Sequence, residues 1–253
     1  MITVDGERVA TPGARWTIAL HKPRGVVSTL EDPEGRATVA GLLGRGLPRL
    51  YPIGRLDLNT SGLLLLTNDG ALAAGLLHPR REVDRIYQAK VRGALSEEAL
   101  KRLRRGVRLE DGKTAPARVK ITERLPTKTW LELTVREGRS HLVRRMCDAV
   151  GHPVEKLIRV RVGPIGLGDM APGAWREVGR RDLALLRTAA GLSGGSPSAA
   201  GGRASPRGAR GKPPRGRRPR PASRSRGEAR TRDSAGGAPK SPDRRRPPKP
   251  RRP

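Results

Sequence analysis

In residues 51–70, YPIGRLDLNTSGLLLLTNDG, the charged residues Arg55 and Asp57 stand just before a turn-forming NTSG and an apolar run. A carboxylate between two stretches that read as buried strands is either a turn residue or a group facing a pocket. In a dry pocket a carboxylate can attack a carbon or take a proton, provided a neighbouring cation keeps it ionised. Arginine suits that supporting task, because its charge is permanent and its planar fork can grip both oxygens. The segment SHLVRRMCDAVG, 140–151, offers candidates on an amphipathic helix. Its His141, Arg144, Arg145 and Asp148 share one face, opposite a stripe of Leu142, Val143, Met146, Ala149 and Val150. That basic face reads equally well as a solvated surface. His141 alone reads as a hydrogen-bonded structural histidine rather than a general base. Tyr87 is the aromatic that could hold a ring beside Asp57, or else a core residue.

No other catalytic constellation competes. GxSxG, P-loop and HExxH patterns are absent, and no glycine cluster after a strand forms a dinucleotide fingerprint. The four histidines, at 21, 78, 141 and 152, lack metal-ligand spacing, so no metal or cofactor is expected. Phenylalanine is missing altogether, which removes the aromatic platforms of common single-strand RNA modules. The single cysteine, Cys147, excludes an internal disulfide and falls on the apolar side of its helix, where a small buried residue is expected.

Charge narrows the partners. The 253 residues carry 53 Lys+Arg against 24 Asp+Glu, a formal +29 that favours polyanions such as nucleic acid. A membrane is the weaker choice, since the longest apolar run, LLLL at 63–66, is far too short to span one. The start, MITVDGERVATPG, has no apolar signal-peptide core, and a cytoplasmic location is expected. Residues 191–253 hold 19 Lys+Arg, 3 Asp+Glu and 12 of the 23 prolines. With almost no apolar residue beyond alanine, that segment is expected to be disordered, either a solubilising tail or a non-specific RNA tether. The remaining 1–190 still carry a net +13, so the folded part is basic in its own right.

Positioning these side chains falls to a mixed set of elements. TIALHKP (17–23), GVVSTL (25–30) and GLLLLT (62–67) read as strands. After the turn at 68–70, ALAAGLL (71–77) reads as a helix stopped by His78-Pro79. DRIYQAKVRG (84–93) alternates, with Arg85, Tyr87, Ala89 and Val91 on one side. Ser96 starts a helix that ends at Gly106. ARVKITER (117–124) and TWLELTVREG (129–138) alternate as antiparallel neighbours, and VEKLIRVRVGPI (154–165) is a further strand after the helix at 140–151. The order is not a regular βαβ series. It implies an α+β fold around a mixed, mostly antiparallel sheet, without internal repeats.

GRLDLNTSGLLLLTND closely resembles the signature of bacterial ribosomal RNA pseudouridine synthases, in the branch that modifies single uridines. Three further stretches resemble family motifs in the expected order: HKPRG (21–25), RIY (85–87) and EGRSHLVRRMCDAVGHPVEKLIRVRVGPIGL (137–167). Together they cover about residues 15–180. The resemblance implies a pseudouridine synthase fold and assigns Asp57 as the catalytic aspartate. It implies that Tyr87 stacks on the target base and takes part in the final proton transfer. Arg144 becomes the salt-bridge partner of Asp57, and Leu157 an apolar pocket wall. Lys22, Arg55, Arg139, His141 and Arg145, within the same motifs, are expected at the substrate. The implied reaction moves uridine's glycosidic bond from N1 to C5 without cofactor or metal, on a base flipped out of its stack.

Two departures stand out. Leu142 occupies a place where many family members have glutamine. Relatives of this branch also begin with a small RNA-binding domain of ribosomal-protein type, of which ITVDGERVATPG resembles only the closing strand and turn. The expected organisation is therefore a remnant of that domain over 1–14, a catalytic domain over 15–190 and a basic tail over 191–253. LNTSGLLLLTNDG looks closer to the enzymes of the large subunit. The expected partners are ribosomal RNA or ribosome assembly intermediates, with the protein a monomer. Two rival readings, a non-catalytic RNA-binding or assembly factor and a DNA-associated protein with a histone-like tail, share the charge. Neither needs Asp57, Tyr87 and Arg144 together.

Overall fold

The computed structural model describes residues 13–44 and 46–192, together with two short strands before them, β1 (Thr3–Val4) and β2 (Glu7–Arg8), which pair antiparallel. The expected remnant over 1–14 and the tail from 193 onward lie, apart from these strands and residues 13 and 14, outside the described residues.

The chain continues through β3 (Thr17–Lys22), α1 (Val39–Leu43), β4 (Tyr51–Pro52), β5 (Thr60–Thr67) and α2 (Gly70–Leu77). It then forms β6 (Arg85–Arg92), α3 (Glu97–Arg105), the hairpin β7 (Arg108–Leu109) and β8 (Gly112–Lys113), and the pair β9 (Arg118–Leu125) and β10 (Lys128–Val135). The short helix α4 (Leu142–Asp148) leads into β11 (Val154–Val162), β12 (Ile165–Gly166), β13 (Trp175–Glu177) and α5 (Arg180–Ala189).

Nine strands make one sheet, ordered β13-β3-β5-β11-β6-β10-β9, with β4 beside β5 and β12 beside β11. Every pairing in it is antiparallel except β5 with β11, which run parallel through Leu157↔Thr60, Ile158↔Ser61 and Arg159↔Gly62. The expected mixed, mostly antiparallel α+β fold is the observed one.

β5 explains the apolar run. Leu63 and Leu65 pack with Leu72 and Leu76 of α2 and Leu186 of α5, while Leu64 and Leu66 pack on the other face with Val39, Leu50 and Leu56. A strand buried on both faces has no polar alternation to show. The four β5 leucines are each at most 1 % exposed, and burying such a side chain contributes roughly 2 kcal/mol. At the other end of the sheet, Ala89, Val91, Leu131 and Leu133 pack against Leu100 and Leu103 of α3 and Leu142, Val143 and Met146 of α4. Ser96 caps α3, its hydroxyl accepting from the Ala99 N–H at 3.1 Å.

Residues 25–30 depart from the expected strand. Only Val27 makes a bridge, parallel to Thr38, and the segment otherwise runs as a loop. The Gly25 N–H and the Ser28 hydroxyl serve the neighbouring acidic loop, while Val27 bonds to Ala37 and Val39. The helix over 140–151 is shorter than expected, beginning at Leu142, because His141 takes a left-handed conformation with φ 51°.

Candidate active site

Asp57 lies in the loop between β4 and β5, held on both sides by the loop over 25–28. The Ser28 hydroxyl donates to the Leu56 carbonyl at 2.8 Å and accepts from the Leu56 N–H at 3.0 Å. The Gly25 N–H donates to the Leu58 carbonyl at 2.9 Å, and the Thr60 N–H closes a turn onto the Asp57 carbonyl at 3.0 Å. Leu56 is anchored in the core, so the next side chain turns outward into a cleft of about 120 Å³.

Three groups converge on Asp57 Oδ2. Thr60 Oγ1 donates to it at 3.2 Å, His141 Nδ1 lies 3.2 Å away and Arg144 Nε 3.8 Å away. Arg144 is itself fixed, donating to the carbonyls of Asn59 (3.1 Å) and Val154 (3.2 Å) and to Thr60 Oγ1 (3.3 Å). One guanidinium thus ties the acidic loop to the start of β11. The left-handed backbone at His141 brings its ring back over the acid, so the histidine expected to be merely structural touches the candidate carboxylate.

Tyr87 lines the same cleft from β6, opposite Leu133 on β10 and Arg159 on β11. Leu157, Leu142, Val143 and Val135 supply an apolar wall. Arg55 stands exposed at the rim, and its side chain makes no hydrogen bond or ion pair among the described residues. Arg139 also lines the cleft, but its guanidinium is engaged with Glu137, Asp111 and the Lys113 carbonyl.

Two residues expected at the substrate lie elsewhere. Lys22 is fully buried, its ammonium donating to the carbonyls of Pro23 (2.9 Å) and Val26 (2.6 Å). Burial lowers its pKa to about 8, with Asp57 pulling the value up and Arg159 pushing it down. Lys22 therefore fixes the loop behind Asp57, with its ammonium turned into the protein. Arg145 turns away from Arg144 and pairs with Asp111, whose carboxyl is held at about 2 by Arg145 first and Arg139 second. The expected helix face divides: His141 and Arg144 meet at Asp57, whereas Arg145, one residue on, pairs with Asp111. Cys147 is buried as expected, its thiol pushed up to about 12 by burial.

Ser28, Thr60, Arg85 and Arg159 carry much of the site's geometry; the last three fall within the motif stretches, but no role was expected of any of the four. Arg85 donates to the carbonyls of Leu76, Val83 and Arg136, and burial lowers its pKa, with the charge of Arg159 adding to the effect against the pull of Tyr87. Alternation along β6 did place Arg85 on the Tyr87 side.

An acid tied to an arginine, beside a tyrosine and under a cationic rim, defines a cleft suited to chemistry on a polyanion's base. The profile of the RNA pseudouridylate synthase family matches residues 17–149, and the chain belongs to that family, whose members isomerise uridine in RNA to pseudouridine. It is 44 % identical over 193 residues to an uncharacterized RNA pseudouridine synthase of Aquifex aeolicus, covering 76 % of this chain and 77 % of the relative. Identity is 46 % over 173 residues with ribosomal large subunit pseudouridine synthase B of Bacillus subtilis, covering 68 % and 71 %. A crystal structure of a pseudouridylate synthase superposes with a TM-score of 0.63 at 28 % identity, over 68 % of this chain and 74 % of that one.

Proposed function

We propose that this enzyme converts a uridine of large-subunit ribosomal RNA to pseudouridine, with Asp57 as its catalytic carboxylate. The observation that carries the reading is the convergence of Thr60, His141 and Arg144 on one oxygen of Asp57, in the cleft that Tyr87 lines. The Thr60 hydroxyl donating to Oδ2, with His141 and Arg144 beside the same oxygen, orients the carboxylate and leaves Oδ1 for the ribose. Arg144 sets a fixed positive charge beside that carboxylate. The similarity to the large-subunit enzyme of Bacillus subtilis supports the choice of RNA.

The reaction needs three things from the protein. A target uridine must leave its stack, which costs a few kcal/mol and favours a loop or bulge. Arg55, free at the rim, is the side chain available to fill the gap or hold the neighbouring phosphate. The base must then turn from N1 to C5 without escaping, and Tyr87 and Leu157 provide the ring face and apolar wall for that rotation. Finally the C5 proton must leave, a step assigned in this reading to the Tyr87 hydroxyl. His141 and Arg139 border the nucleotide, whereas Lys22 and Arg145 act through loop geometry.

The remaining organisation belongs to the same proposal: a catalytic domain over 15–190, a basic RNA-tethering segment over 191–253, and a cytoplasmic monomer that meets ribosomal RNA or assembly intermediates. The test is a pseudouridine map of both ribosomal RNAs from cells with and without the gene, repeated with purified protein on unmodified transcripts. One large-subunit uridine should lose its modification in the deletion and regain it in vitro. An unchanged map would favour an RNA-binding assembly factor, and a lost small-subunit site would reassign the substrate.

A further inference from the structure

Arg159 is a charged residue of the cleft that the roles above leave unused. It is 3 % exposed, yet it lines the cleft with Asp57 and Tyr87. Its Nε donates to the Leu63 carbonyl at 2.8 Å and its Nη1 reaches the Arg55 carbonyl at 3.5 Å. Its Nη2 is buried without any hydrogen-bond partner, and no carboxylate pairs with the guanidinium among the described residues. A buried cation with an idle N–H is costly unless something else occupies it. Lys22 and Arg85 are close enough to feel its charge, so the floor of the cleft holds more positive charge than its own acids balance.

The reaction produces a matching anion. When the N1–C1′ bond breaks, its electron pair stays on the uracil ring, and the negative charge spreads over N1, O2 and O4. This holds whether Asp57 bonds to C1′ or removes a ribose proton. The ring then re-forms its bond to C1′ through C5, C5 loses its proton, and N1 gains one, so uridine and pseudouridine remain isomers. Between the two bonds the detached uracil is a planar anion that must neither leave nor react with water. We propose that Arg159 Nη2 binds a carbonyl oxygen of that detached uracil anion, stabilising it electrostatically and holding it for re-attachment. The cross-strand pairing of Arg159 with Tyr87 puts donor and ring-holding aromatic side by side. This role rests on the pseudouridine synthase reading and deepens it.

The test uses the full chain and an RNA bearing the uridine that the pseudouridine map locates. Arg159→Met keeps the aliphatic stem and removes the charge, Arg159→Lys keeps the charge and loses the fork, and Arg159→Ala opens room for a free guanidinium ion. Single-turnover rates of pseudouridine formation, RNA affinity and melting temperature are measured for each. Arg159→Met should slow turnover by about 10²–10³-fold, the usual effect of losing one donor to a developing anion. RNA affinity should stay within about threefold, because the anion exists only after binding. Arg159→Lys should fall between, and guanidinium chloride at non-denaturing concentration should restore Arg159→Ala more than equal sodium chloride does. Turnover of Arg159→Met within about threefold of wild type would overturn the inference, as would losses that follow melting temperature without guanidinium rescue. A wild type that converts no uridine would instead sink the functional reading, and this inference with it.

Discussion

Ser28 grips Leu56 by both its backbone polar groups, donating to the carbonyl at 2.8 Å and accepting from the N–H at 3.0 Å. The residue so held immediately precedes Asp57, and Ser28 is itself 3 % exposed. Ser28→Ala strands two buried backbone groups, which costs about 1–3 kcal/mol. Denaturant unfolding should show that loss. Single-turnover kinetics should show a slower chemical step with RNA affinity nearly kept, whereas equal effects on both would mean Ser28 only supports the fold.

Asp57→Asn should bind RNA and fold like wild type but form no pseudouridine. The amide retains size and polarity and removes the charged acid. Product above about one per cent of the wild-type rate would end the catalytic assignment, since losing a catalytic nucleophile costs several orders of magnitude.

Arg144→Met removes the bridge from the acidic loop to β11 and leaves Asp57 short of a cation. The pair is 3.8 Å apart and partly solvated, so the stability loss should be about 1–3 kcal/mol, below that for a fully buried pair. Activity should fall further than stability explains, and assays well below the variant's melting temperature separate the two. Wild-type turnover and melting temperature together would show that Arg144 does not hold the acid.

Lys22 sets a pH dependence. Its folded pKa, about 8, lies below its ordinary 10.5. Above pH 8 the folded chain gives up this proton while the unfolded chain keeps it up to about 10.5, so unfolding free energy rises with pH across that window. Below pH 8 both states are protonated and the burial cost is present in full. In Lys22→Met the titration is absent. Stability of wild type minus variant should climb by about 2–3 kcal/mol between pH 8 and 10.5, one pKa unit being about 1.4 kcal/mol. A flat difference would mean water reaches the ammonium.

Cutting the chain after Leu192 removes a net +16 but leaves α5 and its packing intact, with Ala190 in the core and the Leu192 N–H bonded to the Arg187 carbonyl. The shortened enzyme should stay folded and modify the same uridine. The log–log salt slope of its RNA affinity should be shallower by roughly 0.7–0.9 for every phosphate the tail neutralises. Unchanged slopes would remove the tether, and a new target uridine would give site selection to the tail.

Much of this was legible from residue order, because β6 alternates cleanly and the motifs carry the acid and its neighbours. Period-2 alternation put Arg85 and Tyr87 on one face of β6, and the motif resemblance put Asp57, Arg144 and Leu157 in one cleft. The same alternation places Arg159 on the Leu157 side of β11, a signal available but unused. What was hidden depends on local geometry that periodicity does not encode. A bulge between Arg159 and Arg161 sends Arg161 opposite Ile86. One left-handed residue, His141, shortens α4 and brings its own ring onto Asp57. The apolar stretch GVVSTL has strand composition but divides its hydrogen bonds between the loop around Asp57 and residues 37–39.

The parallel seam between β5 and β11 is three residue pairs long, and the two halves of the cleft meet across it. Asp57 and Thr60 ride on one side, Tyr87, Leu157 and Arg159 on the other. At Gly62, φ +115°, a methyl group would run into the Arg159 backbone. The spacing between acid and ring is therefore a backbone dimension, kept by the bare hydrogen at one glycine. Repacking side chains elsewhere can tune that cleft's chemistry, but only a change at this suture would alter its gauge.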